Sequence, residues 1–194
     1  VRWRVTLGGE TAGPPVVTDC RAYCVTTNGG LSAIDTTEQA VDWQQSLEPA
    51  VGPPAATADG VYVGTRAGVV CYDADGTQRW RAPDTTAMDS PHDGPVLDDA
   101  TVYAGGPGGE SLVALAVDTG EERWRASLSG DPRSPVVTER SLYVQDSTGE
   151  IAAVSRTDGS VGWSTRLSLR SMTGITAGDD GLYVGADDRL LRYD

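Results

Sequence analysis

The longest stretch between predicted strands, residues 83–94, brings a histidine and two carboxylates close together. It contains Asp89, His92 and Asp93, and His92 is the only histidine of the chain. An imidazole with neighbouring carboxylates can bind a metal ion or transfer protons. A lone histidine is a poor metal ligand unless carboxylates complete the shell, and the sequence offers no nucleophile beside it. We therefore expect a binding loop without a metal ion or a catalytic group.

Two arginines precede predicted strands in the same way, at Arg133 and Arg170. The chain contains no lysine, so arginine must make every cationic contact. A forked guanidinium group suits carboxylate and phosphate ligands. The alternative is that these arginines pair with neighbouring surface acids such as Asp131. Together with Asp89, His92 and Asp93, they are the candidate binding residues.

The three cysteines do not form a recognisable redox or metal motif. They are Cys20, Cys24 and Cys71, an odd number without a CxxC spacing. Disulfide scaffolding and structural zinc are therefore not expected. We predict that Cys24 and Cys71 are buried as small apolar residues, and that Cys20 lies exposed in a turn.

The elements that must position these residues repeat along the chain with a period near 40. One aromatic series is Tyr23, Tyr62, Tyr103, Tyr143 and Tyr183, and the other is Trp3, Trp43, Trp80, Trp124 and Trp163. This period, with one aromatic residue on each of two strands per unit, is typical of a propeller of four-stranded blades. Because the tryptophans occupy equivalent positions, we expect them to pack neighbouring blades together rather than to stack on a ligand.

Each repeat reads as a four-strand meander, and the whole chain, residues 1–194, as one all-β domain. The predicted blades cover residues 14–45, 53–82, 94–126, 134–165, and 174–194 plus 1–6. Short β-branched and aromatic runs alternate with turn residues, and no helical period is present. Glycines in the turns are expected to take left-handed backbone conformations. These are Gly29, Gly68, Gly109 and Gly149 in the second hairpin, and Gly76, Gly120 and Gly159 before the tryptophan strand.

The fifth repeat lacks a tryptophan strand, whereas the sequence begins with one. Residues 1–5, VRWRV, match the pattern of residues 122–126, ERWRA. We therefore predict a five-bladed ring of antiparallel blades, closed by pairing of Trp3 and Arg4 with a strand containing Leu190 and Tyr193. Such closure would cover two exposed strand edges. The alternative is a piece of a larger ring, either excised or engineered.

Three motifs carry a family resemblance that covers essentially the whole chain. They are the YVG strand at 62–64 and 183–185, the run LVAL at 112–115, and the element DTGEERW at 118–124. The sequence resembles the pyrroloquinoline-quinone-type propeller repeat, whose superfamily includes quinoprotein dehydrogenases and the BamB-like outer-membrane assembly lipoproteins. The dehydrogenases of that superfamily have larger rings and a vicinal cysteine pair. Because this chain has neither feature, the resemblance implies the scaffold without pyrroloquinoline quinone, and we expect no cofactor.

The charge composition restricts the partners and suggests a source. There are 28 acidic and 15 basic residues, for a formal net charge of −13. An acidic, lysine-free surface resembles that of proteins from salt-loving microbes, which predicts a halophilic archaeal source. The same charge argues against nucleic acids and anionic membranes as partners. No run of 18 apolar residues is present, so no membrane insertion is predicted for this segment.

Taken together, these features predict a non-enzymatic, monomeric propeller that binds another protein through the loops leading into its innermost strands. The protein is predicted to be exported or located at the cell surface, with the cytoplasm of a high-salt cell as the alternative. A second functional hypothesis is an enzyme, either a degenerate quinoprotein or a sugar-acting propeller with paired acids such as Asp89 and Asp131.

Overall fold

The computed structural model describes residues 2–50, 52–85, 94–133, 135–167, 172–178, 181–186 and 188–193. These residues form β-strands, turns and loops, and none of them lies in a helix. None of the described segments is therefore a helix of the length and hydrophobicity needed to cross a membrane. The all-β prediction is confirmed.

Strands are grouped into five antiparallel sheets, numbered in chain order. Sheets 1 and 2 contain β1 (Val16–Thr18), β2 (Arg21–Val25), β3 (Gly30–Asp35) and β4 (Ala40–Ser46), then β5 (Ala55–Thr57), β6 (Gly60–Thr65), β7 (Gly68–Asp73) and β8 (Gln78–Ala82). Sheets 3 and 4 contain β9 (Val96–Leu97), β10 (Thr101–Gly105), β11 (Ser111–Ala116) and β12 (Glu122–Ser127), then β13 (Val136–Val137), β14 (Ser141–Gln145), β15 (Glu150–Ser155) and β16 (Val161–Arg166). Sheet 5 contains β17 (Met172–Gly178), β18 (Gly181–Ala186) and β19 (Arg189–Tyr193).

Within each sheet, consecutive strands are neighbours, so every sheet is a simple meander. The fourth strand of each four-stranded sheet contains a β-bulge directly before its tryptophan. In sheet 2, for example, Cys71 pairs with Trp80 and Tyr72 with Gln78, which leaves Arg79 as the extra residue. The bulge turns this side chain out of the ladder, and Arg79 Nη2 reaches Asp118 of the next sheet at 3.5 Å.

Hairpin geometry explains the glycines of the repeat. All seven that were predicted to be left-handed have a positive φ: Gly29, Gly68, Gly76, Gly109, Gly120, Gly149 and Gly159. Gly68, with φ +119°, begins β7, and a Cβ there would collide with the carbonyl oxygen of Ala82. Only glycine combines that backbone angle with so close an approach of the neighbouring strand.

The hydrophobic core lies between successive sheets, which pack face to face. Alternation along β10 shows how one strand serves two interfaces. Val102 and Ala104 pack toward sheet 2, whereas Tyr103 packs toward sheet 4. Because both faces are covered, the middle strands are apolar throughout rather than alternately apolar and polar. The first strands of several neighbouring sheets also contact each other, as β1 contacts β5 and β5 contacts β9. This arrangement is that of a β-propeller.

A tryptophan joins each of the first three sheets to the sheet that follows. The indole Nε1–H donates a hydrogen bond to a carbonyl in the turn before the next tryptophan strand, from Trp43 to Ala74, Trp80 to Val117 and Trp124 to Arg156, over 2.9–3.0 Å. The same rings contact the tyrosine of their own sheet, with centroids about 6 Å apart, as in the Tyr62–Trp80 pair at 5.7 Å. The predicted role of the tryptophans in blade-to-blade packing agrees with these contacts.

The N-terminal segment does not pair with sheet 5 in the part of the chain that is described. Residues 2–7 lie in no strand, and β19 has β18 as its partner. Trp3 is 40% exposed, Leu190 is 72% exposed and Arg4 is exposed, whereas the ring of Tyr193 stacks on Trp163 at 6.3 Å. In sheets 1 to 4, a short covalent turn presents the fourth strand to the third, and no such turn links residues 2–5 to β19. The described strands form five sheets, but closure of the ring stays a prediction.

The cysteines occupy three different environments. Cys71 is buried, Cys24 is half-buried and Cys20 is exposed, and all three thiols are free. Burial raises the pKa of Cys71 to about 11 and raises that of Cys24 above its usual value. These two thiols, Cys71 and Cys24, are therefore protonated and unreactive at neutral pH.

Candidate functional site

The meander gives the sheets two chemically distinct ends. We call one the hairpin end, because it carries the second hairpin of each sheet and the linkers between sheets. The other is the turn end, which carries the turns after the first and third strands. Among the described residues, the sequence-predicted candidate Arg133 belongs to such a linker and so lies at the hairpin end. Loops at one end of a rigid β-scaffold are common places for binding residues.

Four of the five predicted binding residues lie outside the described residues: Asp89, His92, Asp93 and Arg170. The linker of residues 83–94 and the linker before sheet 5 therefore stay predictions as binding elements. The same holds for a sugar-acting site built on Asp89 and Asp131, because the separation of these carboxylates involves a residue outside the described part. Within the described part, no group of three or more histidine, cysteine, aspartate or glutamate side chains is placed to hold a metal ion.

Arg133 is the predicted binding residue that the structure describes. It lies in the linker between sheets 3 and 4, where its backbone N–H donates to the carbonyl of Gln145 over 2.8 Å. Its side chain is exposed and forms no ion pair among the described residues, including with Asp131. The carboxylate of Asp131 instead lies against Gly109 in the hairpin of sheet 3. The backbone of Arg133 is thus fixed, while its guanidinium group is available to a ligand.

Sequence reasoning missed a second arginine at the hairpin end. Arg66 lies in the β6–β7 hairpin, is exposed and forms no ion pair among the described residues. The hairpin is braced from inside by Thr65, whose Oγ1 donates to the carbonyl of Gly68 over 2.7 Å and accepts from the N–H of Ala67. The signal was present, since Arg66 is a charged residue at a hairpin tip in a chain with few cations. Two fixed loops of the hairpin end therefore present a guanidinium group to solvent.

The turn end contains a polar cluster whose residues look like ordinary turn residues in the sequence. Asp98 Oδ2 accepts hydrogen bonds from Tyr103 Oη and from Arg156 Nη2, each over 2.6 Å. Arg156 Nη1 also donates to the carbonyls of Thr138 and Glu139, so its guanidinium group bridges sheets 3 and 4. The signal in the sequence was a departure from the repeat, because the equivalents of Asp98 are threonines in sheets 1, 2 and 4.

Burial and hydrogen bonding have opposite effects on the pKa of Asp98 in this cluster. Partial burial alone would raise the pKa of Asp98, but hydrogen bonds from Tyr103, the Ala100 N–H and Arg156 lower it below the usual value. The pKa of Tyr103 is raised by burial and by its bond to the Asp98 carboxylate. Asp98 therefore stays ionised at neutral pH, and its carboxylate accepts from three donors. This geometry fits a structural contact that holds sheets 3 and 4 together, because the hydrogen-bonding capacity of the carboxylate is already used by protein donors.

An open cavity of about 910 Å³ lies between sheets 4 and 5. Val136, Val137 and Tyr143 form its apolar wall, and Arg140 and Glu139 lie at its rim. The turn after β13 places it at the turn end, away from Arg133. The predicted binding residue and this cavity therefore belong to different surfaces.

The family model described as "Outer membrane protein assembly factor BamB" matches the chain over residues 1–165 and again over 65–192. Two similar proteins carry the same description. The one from Moranella endobia (strain PCIT) is 26% identical over 98% of this chain and 53% of its own length. The one from Yersinia pestis is 26% identical over 100% of this chain and 53% of its own length. The chain thus spans about half the length of these relatives.

Solved structures agree on the fold. BamB from Moraxella catarrhalis superposes with a TM-score of 0.74 at 16% identity, over 91% of this chain and 58% of that one. Hsv2 of Kluyveromyces lactis superposes with a TM-score of 0.73 at 10% identity, over 92% of this chain and 60% of that one. A quinohemoprotein alcohol dehydrogenase from Pseudomonas putida HK5 gives 0.68 at 17% identity, over 94% and 41%. At such identities, these likenesses show the propeller fold alone.

The predicted halophilic archaeal source finds no support among these proteins, since the matched relatives come from bacteria, and it stays a prediction. The predicted repeat family is confirmed, because the family model covers nearly every residue. The chain belongs to the outer membrane protein assembly factor BamB family of pyrroloquinoline-quinone-type β-propeller repeats.

Proposed function

We propose that this chain is a non-enzymatic propeller that binds another protein through its hairpin end, in the assembly of outer membrane proteins. The observation that carries the binding surface is the exposed guanidinium group of Arg133, fixed by its backbone and without an acid partner among the described residues. Arg66 presents a second such group at the same end. Arginine is enriched among residues that dominate protein interfaces, because its planar fork binds carboxylates in two places.

The large side chains support binding rather than catalysis. The tryptophans and tyrosines of sheets 1 to 4 are used in packing between sheets, and the Asp98 carboxylate is bound by Tyr103 and Arg156. The sequence contains no adjacent cysteines of the kind found beside the quinone in the dehydrogenases of the superfamily. We therefore propose that the chain uses the scaffold of this superfamily without pyrroloquinoline quinone or a catalytic metal ion.

The proposed location follows from the relatives. Both are described as outer membrane protein assembly factors. We propose that this chain is likewise exported and acts next to an outer membrane. Because the matched region is about half of each relative, the partner and the location are proposals for this chain. The partner would present acidic side chains to Arg66 and Arg133, since charge complementarity steers such encounters.

Complementation with matched charge reversals tests this proposal. The full-length protein is expressed in a bacterial strain that lacks its own BamB, and the level of outer membrane proteins is measured. Wild type should restore that level, and the double variant Arg66→Glu/Arg133→Glu should not, because two reversed contacts at an interface cost roughly 2–5 kcal/mol in binding. Arg140→Glu is the control, since Arg140 is also exposed but lies at the turn end.

The control separates a lost interface from a general effect of added negative charge. Circular dichroism and thermal melting should show that all variants fold like wild type, because surface substitutions of this kind change stability little. The proposed surface would be wrong if the double variant restored outer membrane proteins as well as wild type, or if Arg140→Glu failed equally. If wild type itself failed to complement, the proposed role in outer membrane assembly would be wrong.

A further inference from the structure

The tryptophan of each of the first three sheets packs on a glycine of the next sheet. A Cβ at that glycine would lie 2.5–2.7 Å from the indole ring, so no other residue leaves room for it. The pairs are Trp43 on Gly76, Trp80 on Gly120 and Trp124 on Gly159. In each sheet this glycine stands four residues before the sheet's own tryptophan, in the turn after the third strand. The turn is therefore a receptor for the preceding tryptophan strand.

Residues 3–7 have the pattern of such a strand and lead directly into sheet 1. Trp3 is followed four positions later by Leu7, as Trp43 is by Leu47 and Trp124 is by Leu128. Leu7 is half-buried. The chain after it is fixed to the hairpin end of sheet 1, where the Thr27 N–H donates to the Glu10 carbonyl and the Ala12 N–H to the Val25 carbonyl, each over 2.8 Å.

The reach of this segment matches the distance it would have to cover. An extended strand rises about 3.3 Å per residue, so the five steps along the chain from Gly8 back to Trp3 span roughly 17 Å. That is close to the length of β4, which runs from the hairpin end of sheet 1 to the turn of residues 36–39. By the rule of the other junctions, Trp3 should lie over that turn.

Gln39 stands where that receptor needs a glycine. It lies four residues before Trp43, as Gly120 lies four before Trp124. Its φ is +59°, and it is the one non-glycine residue of the described part with a positive φ. The φ of Gln39 thus lies in the same left-handed region as those of Gly76, Gly120 and Gly159, but Gln39 carries a Cβ at the position where an added Cβ would crowd the indole ring in the other sheets. Trp3 is correspondingly 40% exposed, against 8% for Trp80 and 7% for Trp124.

We propose that the face of sheet 1 that points away from sheet 2, at the turn of residues 36–39, is a docking surface for residues 2–5 of this chain. We further propose that Gln39 holds Trp3 in an undocked state. The proposal goes beyond the proposed function, because it concerns the turn of residues 36–39 in sheet 1 and not the arginines of the hairpin end. In this undocked state the Trp3 segment lacks the ring-on-glycine contact that Trp43, Trp80 and Trp124 make with the sheets that follow them. A single substitution at Gln39 should allow Trp3 to dock.

Two substitutions at position 39 separate the effect of the space that a side chain occupies from the effect of backbone strain. Gln39→Gly removes both the side chain and the strain of a left-handed residue, whereas Gln39→Asn relieves part of the strain and keeps a Cβ in the receptor. Accessibility of Trp3 to acrylamide is obtained as the difference between each protein and its Trp3→Phe partner. The quenching constant of Trp3 should fall about fivefold in Gln39→Gly, in the ratio of the exposures of Trp3 and Trp80. It should stay unchanged in Gln39→Asn.

Thermal melting provides an independent readout. Gln39→Gly should raise the Tm by about 2–6 °C, and Trp3→Phe should then lower it, because docked Trp3 becomes part of the fold. In the wild-type background, Trp3→Phe should leave the Tm within about 1 °C, since an exposed side chain contributes little. The proposal is overturned if acrylamide reaches Trp3 equally in wild type and Gln39→Gly, or if Gln39→Asn protects Trp3 as well as Gln39→Gly does.

Discussion

At the scale of single residues, the repeated tryptophan combines three contacts that a smaller apolar side chain could not. Trp80 touches Tyr62 of its own sheet, donates its indole N–H to the Val117 carbonyl of the next sheet, and covers Gly120 with its ring. The hydrogen bond fixes the direction of the indole, and the glycine sets how close it comes. The result is a junction with a defined geometry rather than a general apolar contact.

Replacing the receptor glycine therefore tests that geometry. Gly120→Ala should destabilise the protein by about 1–2 kcal/mol for the left-handed backbone and by roughly 1–3 kcal/mol more for crowding Trp80. Gly108→Ala is the matched control, because Gly108 has φ +82° but a methyl group at that position would have no atom within 4 Å. Urea unfolding measures both. Equal losses in the two variants would show that Trp80 does not depend on Gly120.

A second prediction at this scale concerns Asp98, whose side chain is 12% exposed and binds Arg156 across the junction of sheets 3 and 4. Asp98→Asn should lower the free energy of unfolding at pH 7 by about 1–3 kcal/mol, because it replaces charge-assisted bonds by a neutral one. The folded-state pKa of Asp98 is lowered from 3.8. Its contribution is therefore fully present above the unfolded value and is lost as the pH falls through the folded value.

Urea titrations of wild type and Asp98→Asn between pH 7 and pH 3 measure this difference. The gap between the two proteins should be constant down to about pH 4.5 and should narrow below it. Asp118→Asn is the control, because the Asp118 carboxylate is 80% exposed and lies 3.5 Å from Arg79. Asp118→Asn should lower the free energy of unfolding by less than about 0.5 kcal/mol. A pH-independent gap for Asp98→Asn would show that packing, not charge, accounts for the effect.

At the scale of strands and sheets, most of the fold could be predicted from the sequence because each element repeats. The apolar runs, the turn glycines and the tryptophan strands recur in phase, and each occurrence supports the others. What could not be predicted are the contacts that break the repeat. Arg156 reaches Asp98 from another sheet, 58 positions away, and no local pattern pairs them. Gln39 likewise takes a glycine conformation that its residue type does not announce.

The candidate site was harder to predict than the fold for a related physical reason. A side chain in a linker is positioned by its neighbours in space, not by a period in the sequence. Arg133 could be named as a candidate, but its lack of an ion pair with Asp131 depends on the Gly109 hairpin, which draws the carboxylate away. Arg66 was missed because a hairpin tip is ordinary turn chemistry until its exposure is known.

The edge of sheet 5 provides a prediction at the scale of elements. In the described structure Leu190 is 72% exposed on β19, whereas Leu182 on β18 is buried against sheet 4. Leu190→Ser should change the free energy of unfolding by no more than about 0.5 kcal/mol. Leu182→Ala, the buried counterpart, should cost about 2–5 kcal/mol. A loss above about 1 kcal/mol for Leu190→Ser would instead favour a covered edge, as ring closure by residues 2–5 requires.

At the scale of the whole molecule, the charges are unevenly distributed between the two ends. Acidic residues crowd the turn end, where the described turns contain Asp19, Glu38, Asp59, Asp75, Asp98, Asp99, Asp118, Glu121, Glu139 and Asp158. Arg140 and Arg156 are the arginines of the same turns. Among the described residues, the hairpin end has Arg66 and Arg133 and fewer acids. An anionic partner would therefore meet least repulsion at the hairpin end, which is the end proposed to bind.

The net charge of −13 also predicts how the stability of the chain responds to salt. Like charges on a compact surface repel each other, and dissolved ions screen that repulsion, with a Debye length of about 10 Å at 0.1 M and about 3 Å at 1 M. The urea midpoint at pH 7 should therefore rise as KCl is increased from about 0.05 to about 1 M. Near pH 4.3, the isoelectric point, the net charge is close to zero and the same salt increase should have little effect. An equal rise at both pH values would contradict charge repulsion as the cause, because it would mark an effect of the salt on apolar burial that does not depend on net charge.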